Sequence, residues 1–309
     1  MPGGQERILR RRIKSVQSTK KITRAMELIA ATRVVKAQQR ASAARPYSRQ
    51  ITQVIEHLAA GGTTIDHPLL NQTADVQKVA FVVITSDRGM AGAYNSSVIR
   101  ATERELMAHR EAGRDYELIL IGRKAESYFR FRHYRIDASF TGVSDTPTYE
   151  AARGIADLVA EKFISGEVQR VELIYTEFVS LGSQRVAVRR FLPLESTATV
   201  ATAGQGHTEL VAAAEFEPSA QGLLAALLPR YVEARLFGAM LEGAASEHAS
   251  RQRAMKAATD NADELQTKLT RQMNRARQDA ITTEIMEIVS GAEALRGDDL
   301  EALIELAET

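Results

Sequence analysis

VVKAQQRASAARPYSRQITQVIEHL, residues 34–58, decides how this chain folds. Val34, Ala37, Ala41, Ala44, Ser48, Ile51, Ile55 and Leu58 recur at alternating steps of three and four, which is the seam of a coiled coil. Upstream, Ile13, Val16, Ile22, Met26 and Ile29 extend an apolar face with less regular stepping. No Gly or Pro falls between Arg7 and Arg45. Pro46 removes an amide donor and clashes with the preceding turn, so a kink or break is expected near Ala43. Near the other end, Met255, Ala258, Ala262, Leu265 and Leu269 repeat the stepping. That face runs back through Ala244, Leu241, Phe237 and Ala234, and forward through Ala276 and Ala280. It ends on an apolar stripe of Ile281, Ile285 and Ile288. A helix from Ala220 to Val289 would be about 105 Å long, with Pro229 an early candidate for a kink. Helices much longer than about 25 residues are coiled coils, membrane spans or repeats. Charges interrupt every stretch, which excludes a span. Alanine at many seam positions implies two thin helices in close approach.

The remaining composition narrows the function. With 309 residues there is room for one or two domains and a real core. The chain has no Cys and no Trp, which excludes disulfides and thiolate metal sites and fits a reducing compartment. The start, MPGGQERILRRR, lacks the apolar core of a signal peptide. A soluble protein is therefore expected, with any membrane association made through partners. Residues 1–50 carry 13 Lys and Arg against Glu6 and Glu27, a balance of +11 that leaves −10 elsewhere in a chain of net charge +1. A basic helix of this kind meets nucleic acid, a membrane surface or an acidic protein. No aromatic stands among those charges before Tyr47, so base stacking is poorly supported.

Between the helices, KVAFVVIT (78–85), YELILI (116–121) and VELIYT (171–176) read as strands. Helical segments at about 93–112, 123–132 and 147–163 separate them, the last with Thr146 as N-cap and Pro147 at the first helical position. This alternation indicates an α/β, Rossmann-like domain with a largely parallel sheet. QRVAVRRFLPL (184–194) reads as a later strand, an antiparallel edge. Loop composition at 61–68 and 197–214 brackets the domain. The expected organisation is an N-terminal coiled-coil helix at 1–60 and an α/β domain at 61–219. A C-terminal coiled-coil helix at 220–295 and an acidic tail at 296–309 follow.

The segment most like a chemical site is TSDRGMAGAYN (85–95), which follows a strand and opens a helix, where phosphates bind. It matches neither the dinucleotide fingerprint nor the lysine-bearing P-loop, and a tight turn with Gly89 and Gly92 allowing close backbone packing is the favoured reading. The six histidines have no paired zinc-ligand spacing. No catalytic, cofactor-binding or metal-binding residue is expected. A nucleotide-binding α/β protein and a basic coiled-coil scaffold for nucleic acid remain as alternatives.

Three strings in the end helices are more specific: RIKSVQSTKKITRAMELIAATRVVKAQ (12–38), ASEHASRQRAMKAATDN (245–261) and ARQDAITTEIMEIVSGA (276–292). Together with SDRGMAGAYN they closely resemble the gamma subunit of F-type ATP synthases, over nearly the whole chain. The resemblance implies a non-catalytic rotor shaft, an antiparallel pair of helices standing inside a ring of alternating alpha and beta subunits. One copy per complex would couple proton-driven rotation of the membrane c-ring to conformational cycling of the beta-subunit sites, for ATP synthesis and the reverse hydrolysis. The epsilon subunit would be a further partner, nucleic acid would not, and the protein would sit peripherally at the cytoplasmic face of a bacterial plasma membrane. By the same resemblance, Lys20, Lys21, Arg24 and Met26 match a contact with an acidic loop of beta, and Arg251 a position coupled to it. Arg277 and Gln278 match an upper contact with beta, Ile281, Ile285 and Ile288 an apolar bearing, and Phe216, Glu217 and Pro218 a contact with the c-ring. Met90-Ala91 stands where the family commonly has Leu-Cys, so thiol chemistry is absent there.

Overall fold

A computed structural model describes residues 3–60, 67–73, 75–194 and 220–307. The expected loop at 197–214 and the residues Phe216, Glu217 and Pro218 lie outside the described residues. The long end helices are α1 (Gly3–Ala60) and α5 (Ala220–Ala307). Between them lie a short 3-10 helix (Pro68–Leu70), β1 (Lys78–Ile84), α2 (Tyr94–Glu111), β2 (Asp115–Ile121) and α3 (Arg123–Phe131). β3 (Ala138–Phe140), α4 (Tyr149–Ile164), β4 (Arg170–Phe178) and β5 (Gln184–Leu192) complete the order. The chain divides into two compact units, one of residues 28–254 and one of residues 1–27 with 255–309, so each long helix contributes to both.

In the unit of residues 28–254 the sheet order is β3-β2-β1-β4-β5. β1 pairs in parallel with β2 and β4, and β2 with β3, while β5 runs antiparallel at the edge. The apolar run of β1 reads as a strand covered on both faces, because alternate side chains leave the sheet in opposite directions. Ala80, Val82 and Ile84 join Ile119 and Ile121 in a core shared with α4, with Ile51 and Ile55 of α1 and with Leu228, Val232 and Leu236 of α5. Val79, Phe81 and Val83 join Leu118 and Leu120 against Val98, Leu106 and Phe129 of α2 and α3. β3 is a three-residue strand that no apolar run announces. The cap of α4 falls two residues later than expected: Thr148, not Thr146, accepts from the Ala151 amide at 3.2 Å.

Neither proline breaks its helix. Pro46 is exposed, so the backbone groups it disturbs face water and are solvated there, which is where a helix best tolerates the lost bond. Along α1 in this unit Ala30, Val34, Ala37, Ile51 and Ile55 are buried and Ala41 and Ala44 half-buried, while Ile29 is 54% exposed. The side chains of Ser48 and Leu58 lie outside the described residues.

In the other unit α1 and α5 pair antiparallel. The Thr259 hydroxyl donates to Thr23 Oγ1 at 2.8 Å, and Lys20 pairs with Asp263 one turn away. The seam is Thr23, Glu27, Met255, Thr259, Ala262 and Leu269. Ile22 and Leu265, expected on it, are 60% and 45% exposed, because the helices approach closely enough that small and polar side chains fill the interface.

One glycine is dictated by close approach. Gly122 ends β2 at φ +99°, and a Cβ there would stand 2.3 Å from the Thr85 carbonyl oxygen. Gly122→Ala is expected to lose about 3 kcal/mol or more, combining left-handed strain with a backbone overlap. Urea unfolding should show a lower midpoint at unchanged slope; an unchanged midpoint would contradict the geometry.

Candidate functional site

The residues singled out from sequence fall in three settings. In the unit of residues 1–27 and 255–309, Lys20 is half-committed to Asp263, and Arg24 is exposed but held by both oxygens of Glu27 at 2.9 Å. Lys21 is exposed and has no ion pair among the described residues, and Met26 is half-buried. Arg277 and Gln278 point outward. Beyond them Ile281, Ile285 and Ile288 are exposed, together with Met286 and Val289, which sequence spacing did not single out. Every described side chain from 281 to 293 is exposed, and of these Thr283 alone lines the cavity that α5 shares with Gln5 and Leu9 of α1 among the described residues. Five large apolar side chains left in water on a short helical stretch mark a contact surface.

Arg251 is in another setting, inside the unit of residues 28–254. It is only 7% exposed. Its guanidinium donates to Glu247 Oε1 at 2.7 Å and to the carbonyls of Arg88 and Gly89 at 3.4 and 3.3 Å. His248 Nε2 lies 3.3 Å from the Asp145 carbonyl, and Arg33 pairs with the Asp145 carboxylate. This network joins α1, α5, the loop before α4 and the loop after β1. Asp145, Glu247 and His248 come close enough to read as a ligand cluster, and so do Glu105, His109 and Glu172. In the first, Arg33 and Arg251 already neutralise the carboxylates, so the arrangement is that of a buried ion network. Burial pushes Glu247 up, outweighing the Arg251 attraction, to about 7, and burial holds His248 below its ordinary value.

The segment 85–95 is built as a structural turn. Burial pushes Asp87 up, but hydrogen bonds outweigh it and leave the carboxyl below its ordinary value. The donors are the Gly142 amide, the Ser144 hydroxyl and amide at 2.9 and 3.2 Å, and the Arg123 amide at 3.1 Å. Asn95 Oδ1 accepts from the Ser86 amide at 2.9 Å. Met90 and Gly92 take left-handed backbone conformations, φ 61° and 57°. In a sheet of this order the ligand crevice lies beyond the carboxyl end of β1, where β2 and β4 diverge. Here α5 occupies much of that space: a Cβ on Gly92 would contact Ala254, and Arg251 caps the Arg88 and Gly89 carbonyls.

A family model described as ATP synthase matches residues 5–295. The ATP synthase gamma chain of Frankia casuarinae is 52% identical, over 94% of this chain and 98% of the relative. That of Kineococcus radiotolerans is 49% identical, over 94% and 97%. Among solved structures, a chain of the Euglena gracilis mitochondrial ATP synthase (OSCP/F1/c-ring) superposes with a TM-score of 0.65 at 18% identity, covering 96% of both chains. A chain from the Tetrahymena thermophila mitochondrial ATP synthase central stalk and c-ring gives 0.59 at 23% identity, over 77% of this chain and 99% of that one. These structures share the fold.

The buried network has a measurable pH signature. A carboxyl whose folded pKa exceeds its unfolded value binds its proton more tightly in the native state, so its contribution to stability falls as pH rises from about 4.5 to about 7. Glu247→Gln removes that term. The variant's unfolding free energy relative to the parent should climb through that window and level off above it, by about 3 kcal/mol at about 1.36 kcal/mol per pKa unit. Denaturant unfolding at half-unit pH steps checks this; a flat difference would refute it.

Proposed function

This chain belongs to the ATP synthase gamma-chain family, and from that premise we propose that it is the central rotor shaft of an F-type ATP synthase. Its partners are a ring of alternating alpha and beta subunits, the epsilon subunit and a membrane c-ring, and it carries rotation between them without itself catalysing ATP chemistry. The relatives are bacterial, and the complex sits on the cytoplasmic face of the plasma membrane. Among the described residues no helix is long and apolar enough to cross a membrane, which fits attachment through the complex.

The observation that carries this reading is the end of α5. It continues as helix to Ala307, and its side chains from 281 to 293 are all exposed and largely apolar on one face. Ile281, Ile285 and Ile288 suit a bearing, since apolar contact is non-directional and offers no fixed hydrogen-bond register to resist turning. Arg277 and Gln278, at the base of that stretch, serve as the upper contact with beta. Lys21, which has no ion pair among the described residues, and Lys20, Arg24 and Met26 beside it serve as the contact with an acidic loop of beta. Charge of this kind steers approach at long range and weakens with salt. Arg251 acts differently from the other contact residues. Being buried, it positions the α5 backbone and the Arg88–Gly89 turn rather than touching a partner directly. Phe216, Glu217 and Pro218 are assigned to the c-ring on the resemblance alone. The domain limits proposed from sequence, 1–60, 61–219, 220–295 and the tail at 296–309, serve as the working division of the shaft and its head.

Co-expression with alpha and beta subunits tests the reading. A stable complex should form, and its ATPase should exceed that of alpha and beta without this chain; equal turnover, or no assembly, would overturn it. Replacing Ile281, Ile285 and Ile288 together with Asp should leave folding within about 0.5 kcal/mol per exposed site and lower ATP-driven turnover. Lys21→Glu combined with Arg24→Glu should weaken assembly at low salt more than at high salt.

A further inference from the structure

A cavity of about 360 Å³ opens between α2, the β4–β5 edge and α5, all within the unit of residues 28–254. Its lining includes Ala93 and Ser97 at the start of α2, Thr176 and Gln184 of the sheet, and Ser250 and Arg253 of α5. α2 is an 18-residue helix whose N-cap, Ala93, offers no side chain to its first amides. Such an end presents the positive pole of the helix dipole, although the Tyr94 amide is already taken by the Ala91 carbonyl at 3.2 Å. A helix start alone binds nothing in particular, but here a second feature points the same way. Among the described residues the Thr176 hydroxyl is buried without a hydrogen-bond partner, and the residue, only 4% exposed, lines the same cavity. A buried hydroxyl without a partner costs free energy that a bound acceptor returns.

Charge agrees. Arg253 is the one charged residue in the lining, and it has no carboxylate partner among the described residues. Its guanidinium rests on neutral acceptors, the Leu181 and Gly182 carbonyls and the Gln184 side chain. Ser97 and Ser250 add hydroxyls, the latter only weakly engaged with Gln184 at 3.4 Å. The sheet residues that line the cavity belong to the carboxyl end of β4 and the start of β5, next to the start of the helix that follows β1. The part of the crevice beside Arg88 and Gly89 is closed by Arg251, but the part beside β4 remains open.

We infer that this cavity is a non-catalytic binding site for a phosphate-class oxyanion, held by the start of α2, the Thr176 hydroxyl and Arg253. The oxyanion is either free phosphate or the terminal phosphate of a nucleotide. The inference stands apart from the rotor reading, since it concerns binding to the isolated chain and needs no partner subunit.

Titration calorimetry of the full chain with inorganic phosphate, pyrophosphate and ADP at constant ionic strength tests it. Saturable one-to-one binding of at least one of them is expected. Arg253→Gln should weaken it about tenfold, the scale of one charge-assisted contact. Thr176→Val should weaken it several-fold while leaving the thermal midpoint of the unliganded protein nearly unchanged, because no internal hydrogen bond is lost. Tighter binding of ADP than of phosphate would identify a nucleotide as the source, and equal or weaker binding would identify free phosphate. No saturable binding by any of the three, or binding that both variants retain in full, would overturn the inference. Arg253 is exposed, so its variant remains informative even if Thr176→Val fails to fold.

Discussion

A Cβ on Gly243 would stand 3.2 Å from Ile84 Cγ2 and 3.4 Å from the Tyr94 hydroxyl, so α5 lies on the end of β1 with no room for a side chain between them. From Val232 to Arg251 nearly every residue of α5 is buried or half-buried, an unusual state for a helix of such mixed composition. Small residues make it possible. Ala234, Ala239, Ala244, Ala245, Ser246 and Ala249 let the sheet, α4 and α1 close on the helix from several sides. A parallel sheet must be covered on both faces, and on one of them α5 and α4 supply the cover. The helix is therefore part of the sheet's core and not a separate appendage.

Burial on that scale forces polar side chains inside, where they pair in sets, although Glu242 Oε2 and Glu247 Oε2 have no hydrogen-bond partner among the described residues. Glu247 takes Arg251, His248 takes the Asp145 carbonyl, and Ser246 donates to the Thr176 carbonyl at 3.1 Å. Glu233 is met by Tyr149 and Arg230. Each pair is costly to split, since removing one partner strands a buried charge. Such sets hold α5 in one rotation against the sheet, because a turn of one residue would exchange buried carboxylates for alanines throughout. A shaft that carries torque needs that fixed rotation where it is gripped, and the grip is polar as well as apolar.

The regularity of the seam from Val34 to Ile55 made the first helix legible, and the apolar runs of β1, β2 and β4 made the parallel sheet legible. Where large apolar residues and small ones competed for the seam, the sequence misled. Ile22, Ile29 and Leu265 fit a helical stripe, yet Thr23, Ala30 and Ala262 are buried in their place. Periodicity weighs a residue by hydrophobicity, whereas closely approaching helices select by size. The Thr23–Thr259 bond could not be anticipated, for it depends on the register between two segments over two hundred residues apart. β3 was missed because it is held by pairing with Ile119–Ile121 and has no apolar run of its own. Among the proposed contact residues, the exposed isoleucines beyond Ala280 were readable as a stripe. The burial of Arg251 was not, since a basic residue on a helix reads as solvated until its neighbours are known.

A sheet built like a nucleotide-binding one serves a mechanical part here because its crevice is occupied. In such sheets the crevice beyond β1 is open because the following helix leaves the backbone amides free. Here Arg251 satisfies the Arg88 and Gly89 carbonyls, and Asp87 accepts bonds from Ser144 and Arg123, so the loop spends its polar groups on internal structure. Binding energy that would otherwise fall to a ligand is used to fix α5. At the β4 side the Thr176 hydroxyl has no hydrogen-bond partner among the described residues, and the start of α2 has no side-chain cap. The fold has thus turned most of a ligand crevice into a clamp for a helix, and what is left open lies between that helix, α2 and the β4–β5 edge.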